Sequence, residues 1–172
     1  MKTPVTKLEV AGTGFGIKKV LVPVDFSEHS KKALSYAVAF AREFGAHLIL
    51  ITVVEPRVYP VDTIIIPPAM EDATLMAVEA ARESVRNIRN TIDLPVGMVE
   101  EPLVVTGRPY AEIVQEAART NADLIIMATH GYTGLKHVYL GSVTERVVRH
   151  APCPVLVVRD KEREFVELAK VA

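Results

Sequence analysis

Apolar residues along this chain follow two alternating patterns: short continuous runs, and longer stretches in which they recur every three or four positions. Val20-Leu21-Val22-Pro23-Val24, His47 to Val54, Leu103-Val104-Val105, Leu124-Ile125-Ile126-Met127 and Val155-Leu156-Val157-Val158 are of the first kind. Their shortness and β-branched content predict five strands, of which His47 to Val54, nearly continuous in apolar residues, reads as buried on both faces. Between the runs, Ala33, Leu34, Ala37, Val38, Ala41 and Phe44 form one helical stripe, and Leu75, Val78, Ala81, Val85, Ile88 and Ile92 form another. Arg82, Arg86 and Arg89 fall on a different side of the second helix, as a solvated face does. A further helix carries Val143, Val147 and Val148 as its expected inner face, with Ser142 as its cap.

Local punctuation agrees with this reading. Ser27 has the character of a helix cap with Glu28 in the first turn, and Gly45 stops that helix. The second long helix starts near Ala69, and Pro109 suits the first turn of a third that runs to about Thr120. Strands alternating with helices are the pattern of a parallel sheet covered on both sides. The expected fold is therefore α/β, a single doubly wound open sheet of five parallel strands in the order 3-2-1-4-5, Rossmann-like. The expected organisation is a flexible arm over residues 1–16, one domain over 17–159, and a charged tail or short helix over 160–172. Residues 55–68 hold Pro56, Pro60, Pro67 and Pro68 around Val58, Tyr59 and Ile64-Ile65-Ile66. That segment reads as an irregular loop, either a lid or contact surface or a loop tucked against its own domain.

Composition narrows the function. A chain of 172 residues with 49% hydrophobic content has material for one core, and 20 basic against 21 acidic residues give no electrostatic attraction to nucleic acid. No apolar run approaches the ~20 residues of a membrane span, and Met1-Lys2-Thr3-Pro4 opens no signal peptide, so the cytoplasm is the expected location, with neither membrane nor nucleic acid as partner. Cys153 is the sole cysteine, which excludes an internal disulfide, and within Pro152-Cys153-Pro154 it reads as packing.

In a sheet of the expected order, ligands bind at the carboxyl ends of the strands where the winding reverses, between the first and fourth strands. Asp25 closes the first strand and Ala128 the fourth. Past Ala128 come Thr129-His130-Gly131, nine residues, and then Gly141-Ser142-Val143-Thr144. Glycines at 131 and 141 remove Cβ atoms that would hold a phosphate off the backbone. The N–H groups of Ser142, Val143 and Thr144, at a helix start, would point unpaired above the strand end. This is an anion-binding arrangement, for which a nucleotide is the natural candidate. Asp25 can accept both hydroxyls of a ribose, or it can cap or brace the helix that follows.

Other motifs carry less. Gly12-Thr13-Gly14-Phe15-Gly16 precedes the first strand, whereas a dinucleotide fingerprint must follow one. His130 has no second ligand at metal spacing beside it, and His29, His47, His137 and His150 are scattered, so no protein-built zinc site is expected. Ser142 has no placed base to make it a nucleophile.

Three segments together resemble the universal stress protein family, over roughly Ile17 to Val158. They are Leu21-Val22-Pro23-Val24-Asp25-Phe26-Ser27, the stretch from Thr129-His130-Gly131 through Gly141-Ser142-Val143, and His150-Ala151-Pro152-Cys153-Pro154-Val155-Leu156-Val157-Val158. The resemblance implies the fold of the adenine nucleotide alpha hydrolases. ATP-binding members carry Gly-x2-Gly-x9-Gly-Ser/Thr; this chain matches at Gly131, Gly141 and Ser142 and departs at Ala128. By that resemblance Asp25 takes the ribose, Pro23 and Val24 line the base pocket, and the backbone of Val53 lies near the adenine. Gly131, Gly141, Ser142 and Val143 take the phosphates, with His130 and Thr144 completing the expected set. Ala128 stands where the family's first glycine meets ribose and α-phosphate, and if a positive φ is needed there, alanine costs about 1 kcal/mol or more. The implied ligand is ATP, or ADP or AMP, with Mg or Mn held through the phosphates. The implied assembly is a homodimer paired through Val155, Leu156, Val157 and Val158, acting with an unidentified regulatory partner. The expected function is nucleotide-dependent stress regulation without turnover; the alternatives are a nucleotide-free interaction module and a slow ATP hydrolase. For hydrolysis, Lys136, His137 and Arg146 are near the loop, but no base or metal carboxylate is assembled by the sequence.

Overall fold

The computed structural model describes residues 16–56, 68–129 and 140–159. His130, Gly131, most of the proline-rich loop, the amino-terminal arm before Gly16 and the tail from residue 160 lie outside them. The elements run β1 (Lys19–Pro23), α1 (Glu28–Phe44), β2 (His47–Val54), α2 (Pro68–Thr91), β3 (Leu103–Thr106), α3 (Pro109–Thr120), β4 (Leu124–Ala128), α4 (Ser142–His150) and β5 (Val155–Val158). The sheet is parallel throughout, in the order β3-β2-β1-β4-β5, as the alternation of apolar runs and helical stripes predicts.

Strand alternation divides the core in two. Val20, Val22, Leu48, Leu50, Leu124 and Ile126 face α1 and α2, where they bury Ala33, Leu34, Ala37, Ala41 and Val85. Leu21, Ile49, Ile51, Ile125 and Met127 face α3 and α4, against Ile113, Ala117 and Val147. Cys153 packs at the margin of this second layer, as its sequence context suggests. Burial pushes its thiol pKa up, and nearby Asp123 raises it further, against a lowering backbone hydrogen bond from Ile125.

The sheet opens where the site is expected. β1 stays in register with β2 as far as Pro23 opposite Ile51, but it pairs with β4 only at Val20 opposite Leu124 and Leu21 opposite Ile125. Past Leu21 the two central strands part. Val24 still donates its N–H to the Ile51 carbonyl at 2.8 Å, and Thr52 donates its hydroxyl to the Val24 carbonyl at 3.0 Å, so the end of β1 is held to β2 while its other side is left open.

Three sequence expectations shift. Gly141, not Ser142, is the N-cap of α4, extended at φ −65° and ψ 150°, and its carbonyl accepts the first helical bond from Glu145 N at 2.9 Å. Ser142 is thereby the first helical residue. Val148 is 48% exposed because the nine-residue α4 buries only the narrow face of Thr144 and Val147, and the residue next to Val147 is turned about 100° away. Leu75 is 64% exposed. At 24 residues α2 outreaches the eight-residue β2 it covers, and from Ala73 onward its first buried position is Ala81.

Candidate functional site

A cavity of about 230 Å³ occupies the gap between β1 and β4. Every predicted site residue that falls among the described ones lines it: Pro23, Val24 and Asp25 from the end of β1, Val53 from β2, Ala128 from β4, and Gly141, Ser142, Val143 and Thr144 from the start of α4. Residues separated by long stretches of sequence are brought together because the strand order reverses at this point. The sequence did not single out Ser30, Ile51, Met127, Pro109 and Ile113, which also line the cavity. Ile51 and Val53 share a strand face by their spacing of two, and Pro109 and Ile113 share a helix face by their spacing of four, so periodicity relates them once the site is placed.

The turn after β1 aims Asp25. Its Oδ1 accepts from Ser27 N at 3.1 Å and from Ser27 Oγ at 2.6 Å, while Ser27 Oγ accepts from Ser30 N at 3.2 Å as the N-cap of α1. Asp25 thus braces the following helix and also lines the cavity. Between Asp25 and Ser27 the backbone is strained: Phe26 has φ 66°, in the left-handed region that a side chain of this size rarely enters. Its ring packs against the core on the α1 side, which offsets a cost of about 1 kcal/mol.

On the opposite wall α4 is pinned to the end of β4. Gly141 N donates to the Thr129 carbonyl at 2.8 Å, and the buried Thr144 hydroxyl donates to the Ala128 carbonyl at 2.9 Å and reaches that of Thr129 at 3.3 Å. α4 has no side-chain cap, so the N–H groups of Ser142, Val143 and Thr144 lack the intrahelical partners that later residues have. They form the positive end of the helix dipole at the cavity wall. Ala128 ends β4 with its φ in the ordinary negative range, so no backbone strain arises where the motif has its first glycine. Val24, Ile51, Val53, Ile113 and Met127 supply apolar walls beside these polar groups. Among the described residues, no cluster of three or more His, Cys, Asp or Glu side chains forms a metal site, and no helix is long and apolar enough to cross a membrane.

The model of the Universal stress protein family matches residues 16–159. The chain belongs to the universal stress protein family. It is 35% identical to universal stress protein MJ0531 of Methanocaldococcus jannaschii over 147 residues, covering 86% of this chain and 85% of the relative. Among solved structures, universal stress protein UspA from Lactobacillus plantarum is similar at a TM-score of 0.75 and 26% identity, over 85% of this chain and 100% of that one. A universal stress protein in complex with cAMP shares the fold at a TM-score of 0.60 and 23% identity, over 84% of this chain and 98% of that one.

Proposed function

We propose that the cavity between β1 and β4 binds an adenine nucleotide, ATP in the first instance, and that the protein is a ligand-dependent regulator of the stress response in the cytoplasm. The observation that carries this reading is the convergence in one cavity of a braced carboxylate, an apolar slot and an uncapped helix N-terminus. These are the three chemistries a nucleotide needs: a diol acceptor, a flat apolar sandwich and backbone donors for phosphate. Pro23, Val24 and Val53 flank the base, Asp25 takes the ribose hydroxyls, and the N–H groups of Ser142, Val143 and Thr144 take phosphate. Mg or Mn is carried by the phosphates and water, the ordinary habit of magnesium. The parts described are parts for binding, so the output is a change in surface or assembly, in a homodimer paired through β5, read by a protein partner.

The test is calorimetry on protein unfolded and refolded to strip ligand. Asp25→Asn is the informative variant, since it keeps the acceptor that braces Ser27 while removing the charge. Micromolar ATP binding, weakened about tenfold or more by Asp25→Asn and abolished by Gly141→Val, is the expected result. Folded protein that binds no ATP at millimolar concentration would instead be a nucleotide-free interaction module.

A further inference from the structure

A second cavity, of about 290 Å³, shares Pro109, Ser142 and Val143 with the first and is otherwise lined by Glu55, Arg108, Tyr110 and Arg146. It lies where the amino-terminal ends of α3 and α4 meet: Arg108 is the N-cap residue of α3 and makes no side-chain capping bond, and Arg146 stands one turn into α4, above Ser142. The two arginines differ from six others. Among the described residues Arg42, Arg82, Arg86, Arg89, Arg119 and Arg149 each face a carboxylate, at Asp93, Glu79, Glu101, Glu101, Glu116 and Glu145 respectively. Arg108 and Arg146 have no such partner among the described residues. Arg146 is instead held with its guanidinium carbon 4.9 Å from the centre of the Tyr110 ring, an arrangement that fixes the group while leaving its edge N–H donors available.

Two unpaired guanidinium groups and two helix amino ends around one cavity make a site for an extended anion, placed next to the N–H groups that would hold a first phosphate. We propose that this annex holds the outer groups of a polyphosphate chain, and that Arg108 and Arg146 make the protein prefer a nucleoside triphosphate to a monophosphate. The proposal rests on the nucleotide reading of the first cavity for its ligand, but the annex can be probed without a nucleoside. Among the described residues Glu55 is the one carboxylate lining it, and it opposes the anion. Its removal acts in the opposite direction to removal of the arginines.

Calorimetry with ATP, AMP and inorganic tripolyphosphate, on the wild type, Arg108→Gln, Arg146→Gln and the double variant, tests this at fixed salt. Both arginines are exposed, so folding is expected to survive the changes, and a thermal melt checks it. The double variant should bind ATP about tenfold or more weakly while AMP stays within twofold, and Glu55→Gln should tighten ATP in magnesium-free buffer. Equal losses for ATP and AMP, or no loss for either, overturn the proposal. Should the wild type bind neither nucleotide, the nucleotide reading fails by itself; tripolyphosphate binding that disappears in the double variant then upholds the annex, and its absence from the wild type overturns it.

Discussion

Ala128 is the residue at which this chain departs from the ATP-binding motif, and its setting shows what the departure costs. Among the described residues other than glycine, positive φ angles occur at Phe26 and Asn121, not at Ala128, so alanine here carries no conformational penalty and differs from glycine by one methyl on the cavity wall. Ala128→Gly is expected to lower stability by about 1 kcal/mol, through strand entropy and a lost buried methyl, and to change ATP affinity less than about fourfold. A gain above tenfold would place the methyl in the ligand's path. Thr144, by contrast, acts on the site through the backbone. Its hydroxyl ties α4 to the carbonyls of Ala128 and Thr129, so Thr144→Val, nearly identical in shape, leaves buried acceptors short of a donor. Denaturant unfolding should show a loss of about 1–2 kcal/mol, accompanied by weaker ATP binding, and Thr144→Ser should recover most of both. A Thr144→Val variant as stable as the wild type would mean that α4 is held by packing alone.

Among the elements, those that bury a continuous apolar run or a full helical stripe were legible in the sequence, because burial on two faces leaves little choice of residue type. All five strands follow from such runs, and their parallel order follows from the helices between them. Legibility faded where position is decided by neighbours rather than by pattern. Leu75 repeats the stripe of α2, yet it sits on turns that extend past the sheet. The cap of α4 moved one residue because an extended glycine supplies the first helical acceptor as well as a serine backbone would. Phe26 gave no sign of its positive φ, which exists because the packed ring and the Asp25–Ser27 bonds on either side together determine the turn. The candidate site divides in the same way. Asp25, the α4 start and Arg146 near the loop carry chemistry visible in the sequence, whereas Ile113, Pro109 and Arg108 carry none until the fold brings α3 beside α4.

For the whole molecule, the open question is what β5 meets. It is the last strand of the sheet order, so among the described residues its outer edge has no partner strand. Ile125 N donates to the Pro154 carbonyl and Thr129 N to that of Val158, each at 3.0 Å, which turns Pro154, Leu156 and Val158 toward β4. Alternation then leaves the N–H and C=O groups of Val155 and Val157 facing outward. An apolar edge of this kind is a hazard for a monomer and a ready seam for a two-fold dimer, in which a second β5 would lie antiparallel to the first. Val157→Pro isolates this seam. Proline deletes an outward donor and puts its ring into the interface, while the inward ladder to β4 keeps all its bonds, and edge positions are where sheets tolerate proline. Light scattering at micromolar concentration should give a dimer for the wild type and a monomer for Val157→Pro, with the circular dichroism of the two alike. A monomeric wild type would refute pairing through β5, and a Val157→Pro protein that remains dimeric would move the interface to another surface, such as the α4 face bearing exposed Val148.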